Sequence, residues 1–268
     1  MKNLQRALEL DPRNVGLLQQ ISGSYQNLRH YSEMAAVLDQ ALAIDPNDMD
    51  TRVSRASVNL HWQADPRPLH STIESILAED PAAGETIADD WFDLALCERD
   101  PDAAQRTLSA LGERGFGKDA VIFSRKFGEG LVARMRGDVA AARTAFLAAR
   151  TQQQELVRAQ GDYAPALCAL GLIDAALGRK EEALREGLRA AELLPVEKDA
   201  YNGVHVLEFL AVTYAWTGEE DLACQQPAFV TQLPASPSYG ELKLHPFWDP
   251  LRGDPRFDKI VASLAPKL

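Results

Sequence analysis

Five histidines, His30, His61, His70, His205 and His245, are the side chains of this 268-residue chain best suited to hold a metal ion or move a proton. None stands in the HExxH spacing that puts two imidazoles and a general base on one helical face. His205 and Glu208 come nearest to a site. Three residues apart on a predicted helix, they share a face, but two ligands are fewer than a zinc site requires. They read as a polar pair lining a groove. Cys97, Cys168 and Cys224 stand far apart with no CxxC pair, which argues against structural zinc and a disulfide framework. Each reads as a small apolar residue buried on a helix. No GxSxG, Walker or GxGxxG pattern occurs. Gly128-Glu129-Gly130 follows no predicted strand and reads as a close contact between helices. Asp89-Asp90 and Glu219-Glu220-Asp221 fall at predicted helix starts, where carboxylates meet the positive end of the helix dipole. These observations predict a protein that is not an enzyme and uses no cofactor and no metal.

The elements that carry these residues are helical. Alanine and leucine dominate, and the mix of 46% hydrophobic and 25% charged residues is that of a folded protein. No apolar run reaches the length that spans a bilayer, and the first residues lack the apolar stretch of a signal peptide. The net charge is -11 and no basic stripe is present, which predicts neither a nucleic-acid partner nor contact with an anionic membrane. Unpaired cysteines lean towards the cytoplasm. A periplasmic location would follow if a membrane span preceded this segment.

The pattern repeats. Leu4, Ala7 and Leu8 lead into Asp11-Pro12, and Leu38, Ala41 and Leu42 lead into Asp45-Pro46, 34 residues later. Between them a first stretch carries Leu18, Ile21, Ser22 and Tyr25, and a second carries Met34, Leu38 and Ala41, with a turn at Leu28 to Tyr31. Small residues let two antiparallel helices approach, and large ones fill the grooves beside them. Proline then stops the second helix. The same order recurs in Leu167, Leu170, Gly171, Gly178, Ala183 and Ala190. It returns in Gly130, Gly137, Ala142, Phe146 and Ala149, and in Leu207, Leu210, Ala211, Tyr214, Gly218 and Ala223. Each turn glycine is placed where a left-handed residue is needed. Two copies, about residues 49–118, are irregular. One has Asp65-Pro66-Arg67-Pro68 in its turn; the other ends in a glycine-rich link from Gly112 to Gly117.

These units resemble the tetratricopeptide repeat family. The resemblance implies an all-α, right-handed superhelix of about six helical hairpins over residues 1–235, closed by a capping segment, 236–268. The chain opens inside the second helix of a hairpin, which reads as the remnant of a longer protein. The aromatic and proline-rich stretch from His245-Pro246-Phe247-Trp248-Asp249-Pro250-Leu251-Arg252 to Arg256-Phe257 would wedge against the last hairpin and seal it. It is similar to the closing segment of a bacterial group in which such arrays follow kinase-like, winged-helix or TolB-like domains. That likeness implies a place in a larger signalling or regulatory protein.

In this architecture the first helices line a concave groove. By helical phase the groove-facing residues are Gln19, Gly23, Gln26 and Asn27, then Phe127, Leu131 and Arg134, then Cys168, Leu172 and Ala175, then His205, Glu208 and Val212. The early groove is polar and the later groove apolar, so an extended peptide or an amphipathic helix gains most from the later half. Trp216 reads as packing rather than groove. The basic clamp with which some repeat proteins hold acidic chaperone tails is missing at Gln19, Gly23, Gln26 and Asn27. The leading reading is therefore a scaffold for a protein or peptide partner. A structural spacer or self-association element, with a second copy of the chain as partner, is the alternative. An enzyme built on a helical solenoid comes third, with no polar constellation behind it. A groove filled by the chain's own tail would favour the spacer.

Overall fold

The protein, described here by a computed structural model for residues 2–112 and 114–266, is the expected all-α array. Met1, Glu113 and the last two residues, which fall within the predicted array, link and cap, lie outside the described residues. A lone helix α1 (Lys2–Leu10) precedes six hairpins: α2 (Val15–Asn27) with α3 (Tyr31–Ile44), α4 (Met49–Gln63) with α5 (Arg67–Glu79), α6 (Ala88–Glu98) with α7 (Pro101–Leu111), α8 (Arg125–Met135) with α9 (Val139–Ala159), α10 (Ala164–Ala176) with α11 (Lys180–Leu193), and α12 (Asn202–Thr217) with α13 (Glu220–Val230). The tail forms α14 (Tyr239–Leu244), a 3-10 turn (Pro246–Leu251) and α15 (Pro255–Leu264). Among the described residues no helix is long and apolar enough to cross a membrane.

Turn chemistry sets the hairpins. Gly137, Gly178 and Gly218 all have φ 74, the left-handed conformation a helix stop requires. Arg29, Ala64 and Arg99 take that role in the first three hairpins with φ 55, 55 and 60. Side-chain caps start several helices: Asn14, Asp48, Asp100 and Asp138 each accept from a backbone N–H of the first turn. Gly128 and Gly130 are the close contacts expected of them. A Cβ on Gly128 would meet Leu108 at 2.6 Å, and one on Gly130 would fall inside the Phe146 ring. The three cysteines are free and buried.

The glycine-rich link departs from a helix–helix connection. It runs into an antiparallel β-hairpin, β1 (Phe116–Lys118) and β2 (Val121–Phe123), with Phe116 opposite Phe123 and Lys118 opposite Val121. Side chains alternate across a strand. One face of the hairpin therefore buries Phe116, Val121 and Phe123 while carrying Lys118 at its tip. The ring of Phe123 stacks on Phe127 at 4.6 Å and meets the edge of Phe209 at 5.2 Å, and Phe116 meets Phe92 at 4.6 Å. The main core thus runs from α6 to α12 through the hairpin and into the tail.

The tail packs against several parts of the array. Within it Trp248 stacks on Phe257 and both are buried. Trp216 donates to the Phe247 carbonyl at 2.9 Å, so it packs against the tail. Upstream, α14 lies against α4 of the second hairpin. Gly240 makes this possible, because a Cβ there would overlap the Leu60 carbonyl. The two ends of the array also touch. Ala235 N–H donates to the Asn27 carbonyl at 2.8 Å, and the Arg29 guanidinium donates to the Thr231 carbonyl at 2.7 Å and to Ser236 Oγ. The solenoid is closed by its own chain.

Two stability measurements test this packing. Gly240→Ala should lower stability by about 1–3 kcal/mol in urea denaturation, the cost of overpacking a close contact. Gly23→Ala, with nothing within 4 Å of its new Cβ, should instead gain up to about 1 kcal/mol from helix propensity. The second concerns Asp174, fully buried, which accepts from Arg150 Nε at 2.5 Å. Burial and the neighbouring Asp174 push the Glu186 carboxyl up to about 8. The folded state therefore holds this proton more tightly than the unfolded chain does, and the associated stability is lost as pH rises from about 4.5 to about 8. Glu186→Gln should flatten the stability profile over that window; an unchanged profile would show that Glu186 does not titrate there.

Candidate functional site

Where the two ends of the array meet lies a chamber of about 390 Å³ that opens to solvent. Seven segments build it. Helix α2 supplies Gly23, Gln26 and Asn27, and α6 supplies Asp89, Asp90 and Asp93. The hairpin supplies Lys118 and Asp119, the start of α12 supplies Tyr201 and His205, and the tail supplies Ser236, Ser238 and Glu241. Tyr31 and His61 complete the wall. A smaller, mainly apolar cavity of about 80 Å³ lies alongside, lined by Phe92, Phe116, Phe209, Phe247 and Trp248. Lys118 and Glu241 border both spaces, and Glu208 the smaller one.

Lys118 organises the floor. Its Nζ donates to Glu208 Oε1 at 2.7 Å and to Glu241 Oε1 at 2.5 Å. Burial disfavours its charge, but the two carboxylates outweigh that and raise the ammonium above its usual range. Burial likewise opposes the charge of Glu241, yet Lys118 and His61 hold its carboxyl below the usual range. Glu241 is also fixed by local structure, because with Ser238 it forms a capping box: Ser238 N–H donates to Glu241 Oε2 at 2.7 Å and Glu241 N–H to Ser238 Oγ at 3.1 Å.

The histidines divide by environment. Burial depresses His61 and His245, the latter to about 3, so both are uncharged at neutral pH. His61 Nδ1 sits 3.1 Å from Ser238 Oγ, and His245 Nδ1 accepts from the Phe247 N–H at 3.3 Å. His205 is 6% exposed, with Nδ1 3.5 Å from Glu208 Oε2. Its Nε2 lies 3.0 Å from Asp119 Oδ2, but the carboxylate is out of line and Nε2 has no hydrogen bond. Opposite stand acids with little to balance them. Enclosure by protein and the Asp89 charge push Asp90 up to about 6, and enclosure with the Glu241 charge pushes Asp93 up to about 7, although both open on the chamber. No group of three or more His, Cys, Asp or Glu among the described residues is placed to hold a metal ion.

The residues expected to line an open groove separate into three fates. Gln26, Asn27 and His205 meet in the chamber wall, joined by Gly23, and Glu208 lies beneath as a partner of Lys118. Gln19 donates to Asp48 Oδ1 and Thr51 Oγ1 at 2.8 and 3.0 Å, which ties α2 to the start of α4. Phe127, Leu131, Leu172 and Val212 face no groove. They are 0%, 4%, 0% and 0% exposed, as members of the core that the helices share with the β-hairpin. Cys168 and Ala175 are buried too, Cys168 against the Val206 carbonyl of α12. Arg134 stands apart from the chamber, its guanidinium over the rings of Trp216 and Phe146 at 4.3 and 4.9 Å while donating to the Ala176 carbonyl.

Sequence reasoning missed Lys118, Asp119, Asp93, His61, Tyr201 and Glu241. Signals for some existed. The alternation in Phe116-Gly117-Lys118 and Val121-Ile122-Phe123 around Asp119-Ala120 is that of a short hairpin. Ser238-x-x-Glu241 is a capping-box spacing.

An array of antiparallel helical hairpins with a covered concave face is the class that this fold defines. Residues 15–48, which span α2, α3 and the turn that follows, match the family model of the tetratricopeptide repeat. A crystal structure of PilW, described as a widely conserved type IV pilus biogenesis factor, is similar in outline at 14% identity and a TM-score of 0.47, covering 81% of this chain and 92% of that one. No protein of curated function matches the chain in sequence.

The Lys118 assembly can be tested alone. Lys118→Met leaves Glu208 and Glu241 facing each other without a cation, which costs roughly 3–5 kcal/mol at a fully buried site. The Lys118 side chain keeps 32% of its surface, so a loss of about 2–3 kcal/mol is expected at pH 7. The loss should shrink at pH 5, where Glu241, no longer held low by Lys118, takes up a proton more readily, and urea denaturation at the two pH values reads both effects.

Proposed function

We propose that the protein is an interaction scaffold that holds a partner polypeptide at the mouth of its chamber, rather than along a continuous groove. One observation carries this reading. The hairpin and the tail meet α2, α3, α4, α6 and the start of α12 around one polar chamber, so segments distant in sequence share its wall. Repeat arrays of this kind bury their helix faces against neighbours and keep an inner surface for recognition. Here that surface is reduced to the chamber, where Gln26, Asn27 and His205 stand with Asp119, Tyr201 and Ser236. A place within a larger bacterial regulatory protein belongs to the same reading and rests on the resemblance of the tail segment.

One observation favours a second reading, the structural spacer: the chain's own tail occupies the groove, as a self-sufficient block would require. The two separate in one experiment. Peptides selected from a displayed random library against the folded chain should, in hydrogen exchange, protect the segments around Gln26, Asp119, Tyr201 and Ser236. Protection confined to the convex helices, or no selectable binder, would overturn the scaffold reading. A concentration-dependent dimer in sedimentation, with the same rim protected, would instead support self-association.

A further inference from the structure

The charges around the chamber do not balance. Lys118 is already taken by Glu208 and Glu241, and among the described residues Arg114, 3.0 Å from Asp89, is the one other ion partner that the chamber carboxylates of α6 have apart from the neutral His245. Asp90 has no ion pair among the described residues, and Asp93 has only His245 Nε2 at 3.5 Å. Each therefore faces the chamber without a cationic partner among the described residues, a concentration of negative charge that a cation entering the space would offset.

A second observation is independent of the acids. His205 Nε2 is buried, borders the same space and has no hydrogen bond. In the tautomer that carries its proton on Nδ1, the nitrogen 3.5 Å from the Glu208 carboxylate, Nε2 is a bare acceptor. It stands beside the carboxylate of Asp119, so two acceptors face the chamber 3.0 Å apart with no proton in line between them. An incoming N–H donor satisfies both.

The chemistry of the occupant follows. Anions are excluded by the carboxylates. A bare metal ion is disfavoured, because among the described residues no three ligands are close enough to share one. What remains is an organic cation whose several N–H groups reach separated acceptors. The cavity, about 390 Å³, is ample for one long side chain. Tyr201, with its ring edge-on to His205 at 5.2 Å, offers an aromatic surface at the wall against which a cation is favourably placed.

We propose that the chamber is a receptor for one guanidinium or ammonium group, which enters among Asp90, Asp93 and Asp119 and donates to His205 Nε2. This inference rests on the reading of the chamber mouth as the point where a partner polypeptide is held, and it names what that partner inserts: a lysine or arginine side chain.

The test uses the full chain and three small probes, Nα-acetyl-arginine amide, Nα-acetyl-lysine amide and the uncharged Nα-acetyl-citrulline amide, titrated by NMR. At least one cationic probe should shift the resonances of Asp119, Tyr201 and His205, and the citrulline compound should bind at least tenfold more weakly. Asp93→Asn and Asp119→Asn should each weaken the cationic probe by at least tenfold. Asp102→Asn, on an exposed turn, should leave it unchanged. Replacing Asp93 by Asn removes an enclosed charge, so a fold intact by thermal melting is expected and lost binding cannot be assigned to unfolding. Equal binding of the citrulline compound, or shifts elsewhere on the surface, would overturn the cation receptor. Rim-protecting peptides that keep their affinity when arginine is changed to citrulline would overturn it while leaving the scaffold reading intact. Cationic probes that bind when no peptide protects the rim would do the reverse.

Discussion

The contact on which the inner architecture depends is the one between Lys118 and its two carboxylates. A lysine at the tip of a hairpin, a glutamate on α12 and a glutamate on α14 come from three parts of the chain that no repeat-to-repeat packing would bring together. Their mutual attraction offsets the cost of removing each from water only because all three are present. With them in place the hairpin has a fixed tip, α14 has a fixed start, and the space between becomes a chamber with a defined wall. The aromatic cluster beneath, from Phe92 to Phe247, provides the burial, but it is non-directional and would tolerate several positions of the hairpin. The ion cluster selects one.

The fold was largely legible in the sequence because repeat periodicity is a local property. Proline spacing, turn glycines and the small-large order of helix faces announce hairpins one at a time, and all six are present. The chamber was not legible in the same way. Gln26, Asn27 and His205 were identified from helical phase, which holds for any first helix. Phe127, Leu131, Leu172 and Val212 were placed in the groove by the same rule, and they are core because something else covers them. Part of that cover is the hairpin, whose position is set by contacts between residues far apart in sequence. Phase tells which way a side chain points, but not what lies opposite.

Closure also changes how the irregular parts should be understood. Gly240 and the Asn27–Ala235 contact are not needed by any hairpin. Neither is the Arg29 side chain that reaches the end of α13. Each serves the meeting of the first and last parts of the array. The departures from repeat grammar thus collect where the chain turns inward: in the β-hairpin, and in the segment between α13 and α14. The regular hairpins carry the frame, and the exceptions shape what the frame surrounds.

The clasp between Arg29 and the carbonyl of Thr231 joins residues 202 positions apart. In an open solenoid, energy is shared between adjacent units, so terminal units fray independently and the chain behaves as a row of weakly linked springs. A clasp of this span makes the first and last units neighbours, converting the row into a loop with no free end between them. Under tension applied near its ends, such a molecule resists as one body until the clasp shears and only then peels unit by unit. Its folding carries a matching penalty, since the long-range contact forms only after a large loop has been closed, which slows assembly while making the finished state more cooperative.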